Sequence, residues 1–201
     1  MVIGIDLGGM SAKGALLSDG RLEGKSRVVT SASNTAEETA LALARLASET
    51  AEKAGKSMND VQAIGIGSPG VVNGADGTVV LWSNFGWRNV PLAALVRKYT
   101  GKPVFVLNDA NAAALGEAKF GAGKEYRDSL FLTIGTGIGS GVIIDGKLFE
   151  GYRSAGTELG HTVIRQDGEL CSCGRRGCLE AYCSAASLVR FAERALEDGR
   201  K

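Results

Sequence analysis

Three cysteines and the single histidine of the sequence have the residue types and spacing of a metal-binding site. Cys171, Cys173 and Cys178 are separated by one and by four residues, and His161 lies ten residues upstream. Three thiolates and one imidazole complete the tetrahedral ligand set of structural zinc. Clustered cysteines in a chain without a secretion signal are more often metal ligands than disulfides. The sequence therefore predicts a zinc-knuckle loop, with the fourth cysteine, Cys183, as a plain buried thiol.

The segment 174–177, Gly-Arg-Arg-Gly, lies inside this loop and would also suit a zinc finger that reads nucleic acid. The composition argues against that alternative, because 23 basic and 22 acidic residues give a net charge of only +1. No recognition helix is predicted in the loop either. We therefore expect no nucleic-acid partner and, without an apolar run of membrane length, no membrane partner.

Two glycine-rich segments could bind phosphate. Residues 6–13 read Asp-Leu-Gly-Gly-Met-Ser-Ala-Lys, and residues 135–141 read Gly-Thr-Gly-Ile-Gly-Ser-Gly. Each is followed by a predicted strand rather than a helix, which excludes the Walker and dinucleotide-binding patterns. Turns between strands can still present several N–H groups to an anion, and a carboxylate such as Asp6 can hold hydrated Mg²⁺. The alternative for either segment alone is a tight hairpin without a ligand.

Asp109 is the candidate catalytic group. Asn108-Asp109 follows a predicted buried strand and precedes an alanine-rich segment with helical character. A carboxylate at such a strand end could accept a proton from a substrate hydroxyl. A simple helix cap is the alternative that this motif leaves open.

The elements that must position these groups follow from hydrophobic periodicity and turn residues, of which the 29 glycines are the most numerous. Strands are predicted at 2–5, 12–17, 21–30, 61–66, 104–107, 129–134, 142–144 and 147–149. One helix is predicted from a cap at Asn34 with Glu37 to Gly55, and a second at 91–99. A third is opened by residues 108–111 and ends near 121, and a fourth is predicted at 184–197. The alternation indicates an α/β protein, and the N-terminus lacks the basic region of a signal peptide, so we expect a cytoplasmic location.

Taken together, these motifs resemble the ROK family of repressors and sugar kinases in the actin-like ATPase superfamily, and the similarity is greatest to bacterial glucokinases. The matching stretches are 6–9, 65–70, 84–87, 107–112, 135–141, 158–161 and 171–180. The resemblance implies an actin-like ATPase (ribonuclease H-like) fold with two lobes and a cleft. It places an N-terminal lobe at 1–120 and a partial C-terminal lobe at 121–201.

The resemblance also implies roles for matching residues in the ATP-dependent phosphorylation of a hexose, glucose to glucose 6-phosphate above all. Asp109 is the general base. The residues expected to bind sugar hydroxyls are Asn84, Asn108, Glu158, His161 and Glu180. The residues expected to bind the phosphates of MgATP are Asp6, Gly8, Gly9, Ser11, Lys13, Gly135, Thr136, Gly137 and Gly139. Zinc on His161, Cys171, Cys173 and Cys178 would be structural and would hold Glu158 and Glu180 in place, because four protein ligands leave no open position.

Two departures from the family pattern qualify these expectations. Met10 stands where the family usually has Thr, so a hydroxyl near the phosphates is lost. Relatives continue for about another third, so we expect the second lobe to be incomplete. A sugar-binding regulator and a catalytically inactive sugar-binding fragment remain alternatives. The hexose (glucose, N-acetylmannosamine, fructose or allose) and the phosphate donor stay open, and a homo-oligomer, dimer or tetramer, is expected.

Overall fold

The structure, a computed structural model, describes residues 1–154 and 156–199 and has the mixed α/β composition that the sequence predicts. The strands are β1 (Val2–Leu7), β2 (Ser11–Ser18), β3 (Arg21–Val29), β4 (Ala63–Ser68), β5 (Val71–Asn73), β6 (Thr78–Trp82), β7 (Trp87–Val90), β8 (Val104–Asn108), β9 (Ser129–Ile134), β10 (Ile138–Ile144) and β11 (Lys147–Phe149). The helices are α1 (Ala36–Lys53), α2 (Leu92–Thr100), α3 (Asp109–Phe120), α4 (Glu180–Cys183) and α5 (Ala185–Glu197). The chain forms two compact units, Met1–Ala112 and Ala113–Lys201.

The first unit is built on a five-stranded sheet in the order β3-β2-β1-β4-β8. Strands β1, β4 and β8 are parallel, and β2 and β3 continue the sheet as an antiparallel meander. Apolar residues alternate along β1, so that Ile3, Ile5 and Leu7 are buried on one face. Helix α1 buries Leu43 and Leu46 in the same core, which gives the sheet one covered face and a fixed register.

The three parallel strands end at one edge of this sheet, here called the carboxyl edge. The register pairs Asp6 of β1 with Gly67 of β4, and Ser68 of β4 with Asn108 of β8. Ligands of open α/β sheets bind outside the carboxyl ends of the strands. The fold therefore gathers Asp6, Asn108 and the first residue of α3, Asp109, at the edge where a ligand site is expected.

Helix α1 begins one residue later than predicted. Thr35, not Asn34, is the N-cap: its hydroxyl accepts a hydrogen bond from Glu38 N at 3.1 Å. The Glu38 carboxylate accepts in return from Thr35 N at 2.7 Å, which completes a capping box. The predicted pair of Asn34 with Glu37 is wrong because Glu37 is bonded instead to Lys98 and Tyr99.

We expect Thr35→Ala to lower the free energy of unfolding by about 1 kcal/mol, because it leaves helix N–H groups without a side-chain acceptor. Asn34→Ala is the matched control and is expected to change it by less than about 0.5 kcal/mol. Urea unfolding followed by circular dichroism measures both. Equal losses in the two variants would contradict this assignment of the cap.

Strands β5, β6 and β7 form a separate three-stranded sheet that the sequence interpretation missed. Trp82 stacks on Phe85 with ring centroids 3.8 Å apart, and Trp87 meets Trp82 edge-on at 5.2 Å. These aromatic contacts close the 3₁₀ turn Ser83–Phe85, which carries the exposed Asn84. The cluster therefore fixes the backbone on which a predicted sugar-binding residue sits.

The second unit contains the sheet β11-β10-β9 and helices α4 and α5. Ser184 caps α5 by accepting a hydrogen bond from Ser187 N at 3.1 Å, in agreement with the predicted helix at 184–197. Cys183 is exposed, so its prediction as a buried thiol is wrong: it lies on the outer side of the single turn of α4. Among the described residues, none of the helices combines the length and the apolar character needed to cross a bilayer.

Candidate functional site

Asn108, rather than Asp109, makes the side-chain cap contact at the start of α3. Asn108 Oδ1 accepts a hydrogen bond from Asn111 N at 3.1 Å, which is the contact of a helix cap, and its Nδ2 donates to Gly70 O at 3.0 Å. Asp109 Oδ1 accepts from Ala110 N at 2.8 Å. Because Asn108 caps the start of α3, the Asp109 carboxylate is not needed as the cap and remains available for chemistry.

Asp109 is exposed to solvent on one side, yet the protein atoms packed around its carboxyl are enough to shift its pKa. Burial raises the pKa of Asp109, and the negative charge of Asp6 raises it further, against the lowering effect of the hydrogen bond from Ala110 N. Burial penalises the charged form because water solvates a carboxylate better than protein does. A raised pKa makes Asp109 a better proton acceptor than an ordinary aspartate, which suits a general base.

The first glycine turn, residues 8–10, joins β1 to β2 at the same edge. Gly8 N donates to Ser11 O at 3.0 Å, and a Cβ on Gly8 would lie 2.9 Å from that oxygen, so a side chain does not fit without a shift. Thr30 holds the turn from the end of β3, since its hydroxyl donates to Gly8 O at 2.7 Å and its N–H to Met10 O at 3.1 Å. Sequence reasoning missed Thr30 because 22 residues separate it from Gly8.

Asp6 and Lys13 lie side by side because they are register partners in β1 and β2. Lys13 Nζ is 4.0 Å from Asp6 Oδ2, and both side chains are 65% exposed, so this pair contributes little to stability. An exposed carboxylate and ammonium beside Gly9 and Ser11 can instead interact with a metal-bound polyphosphate. The structure thus brings together all five phosphate-binding candidates of the first unit.

The second glycine turn, residues 135–137, is shorter than the predicted loop 135–141. Strand β10 already begins at Ile138, and Gly139 N donates to Thr133 Oγ1 at 3.1 Å within the sheet. Gly139 therefore uses its N–H internally, while Gly135 N closes the turn by donating to Gly137 O at 3.0 Å. Thr136 is exposed at the tip of this turn.

The four predicted zinc ligands converge in the second unit. One ligand atom from each of His161, Cys171, Cys173 and Cys178 lies within 4.8 Å of the other three. Cys171 Sγ is 3.5 Å from His161 Nδ1, and Cys173 Sγ is 3.7 Å from Cys178 Sγ. A tetrahedral zinc ion separates two thiolate sulfurs by about 3.8 Å and a sulfur from an imidazole nitrogen by about 3.6 Å. The two observed separations match the corresponding edges, and the four side chains are of the types that bind structural zinc, so they fit zinc.

Local hydrogen bonds build the cysteine knuckle, residues 171–178. Cys171 N donates to Arg175 O at 2.8 Å, and Gly174, with φ of +84°, donates from its N–H to Cys171 O at 3.0 Å. Hydrogen bonds, the largest from the Arg175 backbone, lower the pKa of Cys173 to about 6, whereas burial raises the pKa of the neighbouring Cys178 to about 11. Thiolates are the form that binds metal, so the Arg175 contact favours ligation by Cys173 at neutral pH. The knuckle is formed by its own backbone and by Arg175 Nη2, which donates to His161 O at 3.0 Å.

The predicted sugar-binding residues of the second unit lie around this knuckle. His161 ends the 3₁₀ turn Leu159–His161, and its N–H donates to Glu158 O at 3.0 Å. Because Nδ1 faces the cysteines, Nε2 is the nitrogen left for a second partner. Glu158 is exposed, whereas the Glu180 carboxylate accepts from Ser172 Oγ at 2.7 Å and from Ile138 N at 2.9 Å.

The chain is similar in sequence to sugar kinases and to repressors of one family. The ROK family model matches residues 2–200. The chain is 42% identical over 192 residues to a glucokinase of Thermotoga maritima, which covers 94% of the chain and 59% of that relative. It is 40% identical over 154 residues to a xylose repressor of Caldicellulosiruptor bescii, which covers 77% of the chain and 39% of the repressor.

A crystal structure of a ROK family glucokinase from Streptomyces griseus, in complex with glucose and AMPPNP, has the same fold. The TM-score is 0.82 at 40% identity, over 98% of this chain and 62% of that one. This similarity confirms the predicted actin-like ATPase fold. The chain therefore spans about 59% of the length of its glucokinase relative and matches it over nearly its own full length.

Proposed function

The chain belongs to the ROK family, and we propose from this premise that it takes part in ATP-dependent phosphorylation of a hexose, with glucose as the favoured acceptor. The observation that carries the proposal is the position of Asp109 at the carboxyl edge, beside the first glycine turn. The pKa of Asp109 is raised, and Asn108 rather than Asp109 caps α3, which leaves the Asp109 carboxylate available. Similarity to glucokinases, one of them solved with glucose and AMPPNP, supports the choice of acceptor and donor.

In the proposed mechanism, Asp109 takes the proton from the sugar hydroxyl that attacks the γ-phosphate. Phosphoryl transfer depends mainly on positioning and charge neutralisation, so the remaining residues orient the two substrates. Lys13 and the N–H groups of the first glycine turn would bind phosphate oxygens, and Asp6 would hold the hydrated Mg²⁺ that accompanies ATP. Mg²⁺, when bound with ATP, supplies the charge neutralisation at the phosphates. Asn84 and Asn108 in the first unit hold sugar hydroxyls.

In the second unit we propose that Glu158, Glu180 and His161 Nε2 bind sugar hydroxyls, while Thr136 with Gly135 and Gly137 contacts phosphate. Zinc on His161, Cys171, Cys173 and Cys178 would supply only structural order, since these four groups occupy every tetrahedral position. The fit of their separations to zinc supports this role.

A panel of hexoses under one ATP-turnover assay tests the function and the acceptor. We expect ADP formation that depends on sugar, fastest with glucose, in the chain alone and in the chain joined to the part of the Thermotoga glucokinase that the match does not cover. Turnover in neither form, despite measurable glucose binding, would refute the proposal.

A sugar-responsive regulator is the second candidate function, and the similarity to a xylose repressor favours it. The two functions differ in turnover, because a regulator needs only sugar binding. Sugar binding without ADP formation in the same panel would select the regulator or the inactive sugar-binding fragment.

Met10 provides a test of nucleotide binding at the first glycine turn. Its side chain is 84% exposed, so replacement does not disturb the core. We expect Met10→Thr to tighten AMPPNP binding by roughly three- to tenfold, because a hydroxyl near the phosphates adds about one hydrogen bond. Titration calorimetry measures the Kd.

Met10→Val is the control, since valine has the shape of threonine without the hydroxyl. An equal gain in affinity for the threonine and valine variants would show that side-chain size, not the hydroxyl, sets nucleotide affinity at this position.

A further inference from the structure

Glu180 contacts two separate parts of the second unit at once. Its Oε1 accepts a hydrogen bond from Ser172 Oγ at 2.7 Å and lies 3.8 Å from Cys171 Sγ in the cysteine knuckle. Its Oε2 accepts from Ile138 N at 2.9 Å. Ile138 directly follows the second glycine turn, so one carboxylate joins the knuckle to that turn across 42 residues of sequence.

The second glycine turn is shaped for this contact. A Cβ on Gly137 would lie 2.5 Å from Glu180 Oε2, so glycine is what permits the carboxylate to approach. At the other end of the turn, Gly135 O accepts from Ala185 N at 2.8 Å. The short segment from Glu180 to Ala185 therefore holds both ends of the turn.

We propose that Glu180 is a positioning residue that transmits the order of the metal-bound knuckle to the second glycine turn. Metal ligation fixes Cys171 and, through the chain, Ser172. The Ser172 hydroxyl orients the Glu180 carboxylate, which in turn fixes the Ile138 amide. The function of the turn as a phosphate contact rests on the proposed function, but the link itself does not. A carboxylate has about four acceptor sites, so Glu180 can hold this link and a sugar hydroxyl together.

Amide hydrogen exchange of residues 135–138 tests the link in the metal-loaded chain. We expect Glu180→Ala to speed exchange there by roughly tenfold or more, because the Ile138 N–H loses a charged acceptor. Glu180→Gln should retain most of the protection, since its carbonyl oxygen can still accept from Ile138 N. Ser172→Ala should give a smaller acceleration, and Glu193→Gln, a change to an exposed carboxylate on α5, should give none.

Removal of the metal with a chelator provides the second arm. Exchange at 135–138 should rise in the unsubstituted chain and rise no further in Glu180→Ala, because both changes break one pathway. Residues Val142–Ile144 of β10 are the reference for general unfolding. If exchange rises there too after chelation, the metal-loaded Ser172→Ala variant replaces this arm: faster exchange at 135–138 supports the link, and unchanged exchange overturns it.

Unchanged protection at 135–138 in metal-loaded Glu180→Ala would overturn the proposal. Equal acceleration by chelator in Glu180→Ala and in the unsubstituted chain, with the reference strand intact, would also overturn it. Phosphoryl transfer is not the readout, so an inactive chain with this exchange pattern would refute the proposed kinase function and leave the link standing.

Discussion

Asp109→Asn is expected to lower hexose phosphorylation by about 10²- to 10⁴-fold, which is the usual contribution of a positioned general base. Asparagine keeps the size of the side chain, and its oxygen can still accept the hydrogen bond from Ala110 N. Folding and sugar binding should therefore be retained, so the loss should appear in kcat rather than in KM. A coupled assay for ADP release measures both constants.

Asp19→Asn is the matched control, because Asp19 is an exposed aspartate in the turn between β2 and β3, away from the carboxyl edge. It should leave kcat unchanged. Retention of more than about a tenth of the activity in Asp109→Asn would contradict the role of Asp109 as the base.

The pH dependence follows from the direction of the pKa shift of Asp109. The base must be ionised to accept a proton, and burial raises its pKa above the ordinary 3.8. The acidic limb of kcat/KM should therefore lie at a higher pH than an unperturbed aspartate would give.

The same shift predicts an effect on stability. A carboxyl whose pKa is raised in the folded state binds its proton more tightly there, so its contribution to stability falls as the pH rises from near 3.8 through the raised pKa. At neutral pH the ionised carboxylate destabilises the fold, and Asp109→Asn should raise the melting temperature. A loss of stability in this variant at pH 7 would contradict the shift.

Cys178→Ser is expected to remove most of the bound zinc and to destabilise the second unit. Cys178 is completely buried, and its sulfur is one of the four corners of the tetrahedral ligand set. Structural zinc supplies on the order of 10 kcal/mol of binding free energy in small zinc domains, and a missing thiolate forfeits much of it. Metal analysis should give about one zinc per unsubstituted chain and far less in the variant, with a lower melting temperature.

Cys183→Ser is the control, because Cys183 is exposed and lies outside the ligand cluster. It should keep its zinc and its stability. Full zinc content in Cys178→Ser, or an unsubstituted chain that folds with unchanged stability in chelator, would refute the structural zinc site.

The parts of the fold that local patterns encode were predictable from the sequence. Alternating apolar residues predicted the strands of the main sheet, and the cysteine spacing predicted a cluster that the structure assembles. The ends of elements were less predictable, because neighbouring residues of similar type compete for one role. Asn34 and Thr35 are both good caps. Lys98 on α2 binds the Glu37 carboxylate, so Glu38 is left to complete the capping box with Thr35.

Contacts between residues far apart in the chain could not be predicted from the sequence. Thr30 supports the first glycine turn from another strand, and Glu180 reaches Ile138 across 42 residues. Glycines in 135–141 predicted one long loop, yet sheet pairing extends β10 back to Ile138 and takes up the N–H of Gly139. Tertiary pairing overrides the weak strand preference of glycine in such a segment.

Transfer of label from γ-³²P-ATP to glucose would show directly whether Asp109 supports phosphorylation of a hexose. In a single turnover quenched on the millisecond-to-second scale, we expect labelled glucose 6-phosphate to form with the unsubstituted chain and to be lost with Asp109→Asn. Label found only in ATP or in inorganic phosphate, while glucose is bound, would contradict the proposed function.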